Sequence, residues 1–303
     1  MCGFLTHLVY ICVGIRSDSD MYTFGYSFHP WLSKKVFADG ELIMTYLNKT
    51  VDDFDLRKYI KYGHRIEKAS WDSSISNWIL SVNHANGSKF TIKTRFLFLC
   101  TGYFNYDEGH VPSFIDQDMY NGKIIYPQHW PKDYNYTNKK VIIIGSGATA
   151  ITLVPSMAPT ASHVTMIQRS PTYIAAVPST SAFIESLYKI LPTQLAYTIA
   201  RWIRILFQAF LYFICMLYPK YMKKFFIKEI KKQLPKGYNI HKHFTPTYDP
   251  WRQRFCVGPD GDIFTCIREG KASVYTEIID KFTTKGVLLK SGEEVEGDVI
   301  GAV

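Results

Sequence analysis

One stretch of the chain combines residue types and spacing that could bind a phosphorylated ligand. Gly145-Ser146-Gly147-Ala148-Thr149-Ala150 follows directly on Val141-Ile142-Ile143-Ile144. Four consecutive β-branched residues predict a strand buried on both faces, and the glycines after it predict a tight turn into a helix. In a GxGxxA turn the first glycine permits the turn, the second lets backbone amides approach a pyrophosphate, and the small third residue packs helix on strand. The helix start then offers free N–H groups and the positive end of its dipole, here at Ala148 and Thr149. The next strand, His163 to Ser170, ends 24 residues after Gly145 in Arg169 and Ser170. An acidic residue there would accept from a ribose 2′-OH, whereas a guanidinium and a hydroxyl suit a 2′-phosphate. The expectation is an NADP-selective site.

Other chemically able residues carry less on their own. His129 lies in a Pro- and aromatic-rich run, where a single hydrogen bond accounts for it. His241 and His243 are two apart with no flanking carboxylate or third ligand, so no metal site is expected. The six cysteines show no CxxC spacing and predict reduced thiols in a cytosol-facing protein.

Strands, turns and helices must position these groups. Asp39 or Gly40 opens a helix through about Val51, with Ile43, Tyr46, Leu47, Val51 and Phe54 at helical spacing as expected core positions. Strands are expected at Ile60–Ile66, Trp78–Val82 and Phe90–Lys93, with a hairpin turn at Asn86-Gly87 and a buried closing strand at Phe96–Leu99. A similar layout returns in Ala272–Thr276, Gly286–Lys290, a turn at Ser291-Gly292, and Val295–Val303. The recurrence reads as an internal repeat in which a hairpin and a return strand finish each of two nucleotide-binding units. Tyr120 to Pro131 reads as an ordered linker, Pro171–Ser181 as loop, and Phe183–Gln233 as largely helical.

With 303 residues, 47% of them hydrophobic and 20% charged, the chain has the material for one large or two smaller globular domains. Its net charge of +9 is uneven: seven lysines lie between Lys220 and Lys236 against Glu229 alone, directly after the aromatic-rich run Ile205–Tyr218. No nucleic-acid motif accompanies them. The pairing from Ile205 to Lys236 fits either contact with an anionic membrane surface or a buried helix followed by a solvated lysine face.

Together these residues form a likeness. The chain resembles the class B flavoprotein monooxygenases, especially the Baeyer–Villiger branch, which is related to the flavin-containing monooxygenases. The family fingerprint FxGxxxHxxxWP falls on Tyr120, Gly122, Tyr126, Trp130 and Pro131, with tyrosine in place of the family's phenylalanine at 120 and of its histidine at 126. The resemblance implies further roles. Cys100-Thr101-Gly102-Tyr103 would be a turn that approaches the flavin, Arg254 the active-site arginine, and Asp18 of Arg16-Ser17-Asp18 the carboxylate that holds it. The activity it implies uses FAD and NADPH. NADPH reduces the flavin, the reduced flavin takes up O2 as a C4a-peroxide, and one oxygen atom enters a ketone or a soft heteroatom. Arg254 would stabilise the anions formed on that route.

The expected fold class is therefore α/β with two dinucleotide-binding, Rossmann-like domains. The first, 1–131 including the linker, is expected to be an incomplete FAD domain, with 1–13 unassigned because no GxGxxG occurs there. The second, 132–303, is expected to bind NADP and to carry a helical insertion at about 183–234. The missing flavin glycines read as those of a fragment of a longer enzyme. Two competing readings stand beside ketone oxidation: an N- or S-oxygenating flavin monooxygenase, against which Trp130-Pro131 and Arg254 speak, and a non-catalytic, membrane-associated NADP-binding protein.

Overall fold

The computed structural model describes residues 13–303, apart from 103, 104, 106, 108, 110 and 132. The described residues form two compact units, one from 44–108 and the other from 13–43 with 109–303.

Near the start of the larger unit, Asp20 caps a single helical turn, α1 (Met21–Phe24), by accepting from Thr23 N at 3.0 Å. Asp39 does the same for α2 (Gly40–Asp53), where its carboxylate accepts from Leu42 N at 2.9 Å, as its position before the periodic run predicts.

The smaller unit carries an antiparallel meander of β1 (His64–Asp72), β2 (Asn77–His84) and β3 (Lys89–Thr94). Trp71 faces Trp78 across the first pair, their rings edge to face at 5.6 Å. Gly87, with φ of +87°, supplies the left-handed residue that the Asn86-Gly87 turn requires. Phe96–Leu99 corrects one expectation. Phe96, Phe98 and Leu99 are exposed and the segment is irregular. A strand needs a neighbour for its backbone groups, and no described strand pairs with this one.

The larger unit is built on a five-stranded, all-parallel sheet. Its strands are β4 (Lys123–Ile125), β5 (Lys140–Ile144), β6 (His163–Gln168), β9 (Ala272–Thr276) and β13 (Val299–Ala302), in the spatial order β4-β13-β5-β6-β9. Helix α3 (Ala148–Met157) connects β5 to β6. Alternation along β5 shows why its run is apolar throughout. Val141 and Ile143 pack with Leu153, Val154, Met166, Ile263 and Phe264, whereas Ile142 packs on the opposite face with Phe282, Val287, Leu289 and Ile300. The first face is covered by helices. The second is covered by a meander of β10 (Ile279–Phe282), β11 (Gly286–Leu289) and β12 (Glu294–Glu296).

Here the repeat expected from the sequence is half realised. Both meanders form, but only the second is followed by a return strand, β13, which enters the sheet between β4 and β5. Two further expectations are corrected. The linker contributes an edge strand, β4, and the stretch expected as loop holds β7 (Tyr173–Val177), paired in parallel with β8 (Phe255–Pro259). Apolar Tyr173 and Ile174 are buried in that pairing. The helices after β7 are α4 (Ala182–Ile190), α5 (Thr193–Leu217), α6 (Pro219–Gln233) and the short α7 (Ile240–Phe244), and α8 (Asp262–Arg268) follows β8.

Candidate functional site

The glycine turn sits at the carboxyl ends of β5 and β6, the edge at which ligands bind in open α/β sheets. Gly145 has φ of +137°, a region that side chains rarely adopt, and a Cβ there would stand 3.0 Å from the Val303 carbonyl oxygen. Its N–H donates to the Ile167 carbonyl at 2.8 Å, which ties the turn to the neighbouring strand. Gly147 differs. Its backbone is extended, with φ of −79°, and a Cβ would meet nothing within 4 Å. It stands at the N-cap of α3 with no side chain capping the helix, so the first amides of Ala148 and Thr149 are left for a ligand. Ala150 is fully buried against the sheet.

Ser146 turns inward. Its hydroxyl lies 3.1 Å from Thr172 Oγ1 and donates to the Ser170 carbonyl at 3.3 Å, which joins the glycine turn to the segment after β6. Arg169 is exposed directly past the end of β6, and Ser170 is half-buried beside it. The strand end that carries them is fixed by Gln168. Its buried amide donates to the His243 carbonyl at 2.7 Å and to Thr276 Oγ1 at 2.9 Å. His243 Nδ1 also contacts Thr276 Oγ1 at 2.9 Å, and burial, with Lys242 adding to it, lowers the pKa of His243. The open cradle at Gly147, the free helix start and the cation at the neighbouring strand end fit an NADP pyrophosphate and 2′-phosphate. The Ser146–Thr172 contact and the Gln168–His243–Thr276 cluster were not expected, since Thr172 and Thr276 belong to no recognisable motif.

The fingerprint residues hold the β4 segment in place. Tyr120 is buried, donates to the Gly297 carbonyl at 2.7 Å, and packs edge to face on Phe282. Burial foremost, then the Asp298 carboxylate, pushes its hydroxyl well above the usual tyrosine range. A side chain at Gly122 would collide with the Tyr120 hydroxyl and come within 2.7 Å of the Asp298 carbonyl oxygen. Trp130 is buried against Tyr136, and half-buried Pro131 follows it. Half-buried Tyr126, at the position of the family histidine, receives a long 3.5 Å hydrogen bond from Gln117. His129 is exposed in a single 3-10 turn.

Asp18 and Arg254 are exposed and are not paired with each other. The ion pair at this place is Arg16 with Asp262, a carboxylate in the first turn of α8. Asp18 and Arg254 are still brought to one neighbourhood. Burial pushes the Cys256 thiol up to about 11, while Arg254 lowers it and Asp18 raises it by their charges. The arginine expected to be held by Asp18 thus makes no ion pair among the described residues.

Thr101 and Gly102 belong to the smaller unit and lie in exposed, irregular backbone, Gly102 with φ of +71°. Tyr103 lies outside the described residues. A second strand-turn-helix among the described residues runs from β8 through Asp260-Gly261 into α8, but its first turn carries the Asp262 carboxylate, engaged with Arg16, which does not suit a flavin pyrophosphate.

A parallel sheet with a glycine turn into a helix, and a cation at the adjacent strand end, defines a dinucleotide-binding domain. The chain belongs to the flavin-binding monooxygenase-like family, which its residues 8–297 match. It is 45% identical over 288 residues to the FAD-containing monooxygenase EthA of Mycobacterium tuberculosis (strain ATCC 25618 / H37Rv), a match covering 95% of this chain and 59% of that protein. The chain therefore spans well under two thirds of that relative's length. Its fold is similar to that of OTEMO in complex with FAD and NADP, with a TM-score of 0.75, 19% identity, and coverage of 99% of this chain and 64% of that one. It is similar too to cyclohexanone monooxygenase from Rhodococcus sp. Phi1 bound to NADP+, with a TM-score of 0.72, 20% identity, and coverage of 99% and 63%.

Proposed function

We propose that this chain supplies the NADPH site of a flavin-dependent monooxygenase that places one oxygen atom of O2 in a ketone. The observation that carries the reading is the open face at Gly147 beside an exposed Arg169 on a fixed strand end. The amides of Gly147, Ala148 and Thr149 would take the pyrophosphate, and Arg169 with Ser170 the 2′-phosphate. Ser146 would hold the turn to the strand end that carries them. Family membership supports the flavin, which supplies the oxygen chemistry when bound.

The Trp130-Pro131 ending and the presence of Arg254 support a ketone over a nitrogen or sulfur substrate. The reading includes a cytoplasmic location, supported by four free thiols among the described cysteines. To test it, the purified chain is supplied with FAD, NADPH and air, and offered a cyclic ketone and a thioether in parallel. A lactone that requires NADPH supports the proposal. Sulfoxide without lactone supports the heteroatom-oxygenating alternative, and NADPH binding without either product reduces the chain to a nucleotide-binding protein.

A further inference from the structure

Helix α5 turns its two arginines toward the protein, beside buried Ala196, Tyr197, Ala200 and Cys215. Arg201 donates to the carbonyls of Tyr22, Thr23 and Gly25 at 2.9, 3.0 and 2.6 Å. Arg204 and Gln208 converge on Asp20, which is 1% exposed. Its outward face is apolar. Trp202, Leu206, Phe210, Phe213 and Leu217, spaced by four, four, three and four residues, lie on one stripe and are each more than half exposed. A helix of a water-soluble surface has the opposite arrangement.

The neighbouring sequence indicates what covers that stripe. Exposed Tyr218 and Tyr221 stand at the junction with α6, and the exposed face of α6 bears Lys220, Lys224 and Lys228 together with Tyr221 and Phe225. Aromatic rings interleaved with lysines beside an apolar stripe match the interfacial zone of an anionic bilayer. A second copy of the chain would bring like-charged lysine faces together. The helix cannot cross the membrane, because Arg201, Arg204 and Gln208 bind the protein along its inner side and lipid cannot surround it.

We infer that α5 and α6 form a peripheral docking surface that lies flat on an anionic lipid bilayer. The apolar stripe enters the headgroup–acyl boundary and the lysines contact lipid phosphates. This inference does not depend on the oxygenation chemistry proposed above.

The test is co-sedimentation of the full chain with vesicles of phosphatidylglycerol mixed with phosphatidylcholine, and with phosphatidylcholine alone, at low and high salt. Binding is expected only to the anionic vesicles and is expected to fall with salt. Each lysine near the surface is worth roughly a fivefold change in partitioning, so K220E/K224E/K228E should weaken binding by about a hundredfold or more. L206E/F210E should abolish it. Circular dichroism and NADPH binding, which these residues do not touch, report whether the variants fold. Four outcomes would overturn the inference: no binding to anionic vesicles, binding indifferent to the lysine reversals, a soluble dimer that L206E/F210E dissociates, or loss of binding in a longer form of the chain. The dimer would assign the stripe to a second copy, and the last outcome would make it an internal surface.

Discussion

The two glycines of the turn should respond to alanine in opposite ways. At Gly147 the backbone is extended and a Cβ meets nothing within 4 Å, so Gly147→Ala should leave the thermal midpoint nearly unchanged. Restricting the unfolded chain contributes about 0.4–1 kcal/mol, which offsets a similar cost of placing alanine at an N-cap. The same methyl group would occupy the space through which a pyrophosphate approaches the helix start. Loss of two to three hydrogen bonds to a charged ligand, at about 1.5 kcal/mol each, is worth roughly 3 to 4.5 kcal/mol, or more than a hundredfold in affinity. At Gly145 the cost falls on the fold instead. A φ of +137° and a Val303 carbonyl oxygen 3.0 Å from the new methyl should destabilise Gly145→Ala by about 1–3 kcal/mol. Thermal melts and calorimetric titration with NADPH on the same preparations separate the two effects. A Gly147→Ala protein that binds NADPH as the wild type does would refute the placement of the pyrophosphate.

Further substitutions probe the surrounding contacts. Arg169→Ala should weaken NADPH binding by about tenfold or more, as expected for an exposed charge-assisted contact of roughly 1.5 kcal/mol, and leave NADH binding nearly unchanged; titration with both nucleotides checks this. Tyr120→Phe removes a buried hydrogen bond to Gly297 and should cost about 1–2 kcal/mol in denaturant unfolding, with NADPH affinity retained. For His243 the folded-state pKa lies below the unfolded value. As pH falls below the ordinary histidine value, the unfolded chain therefore takes up the proton first and stability is lost. The thermal midpoint should thus fall from pH 7 towards pH 5, with a smaller fall in His243→Gln; identical pH profiles for the two proteins would exclude this histidine as a source.

The sequence made legible what local chemistry decides. Val141–Ile144 is apolar at every position because both sheet faces are covered, and Gly145 and Gly147 follow from a turn and an open approach. Asp39 announces α2 because an N-cap acts within three residues. Long-range pairing was not legible. Nothing in Val299–Ala302 says that it enters the sheet between β4 and β5, and nothing in Arg16 says that it pairs with Asp262, distant in the chain. Phe96–Leu99 has strand composition, yet composition does not supply a neighbouring strand. In α5, Arg201 and Arg204 interrupt an apolar run on paper, whereas in the fold both arginines face the protein and the run is continuous on the other side.

The most direct test of the account is calorimetric. The purified chain is titrated with NADPH and with NADH, and the same titrations are run on Arg169→Ala. The account predicts that the chain binds NADPH far more tightly than NADH and that Arg169→Ala removes the difference. Equal binding of the two nucleotides, or binding of neither, would contradict it.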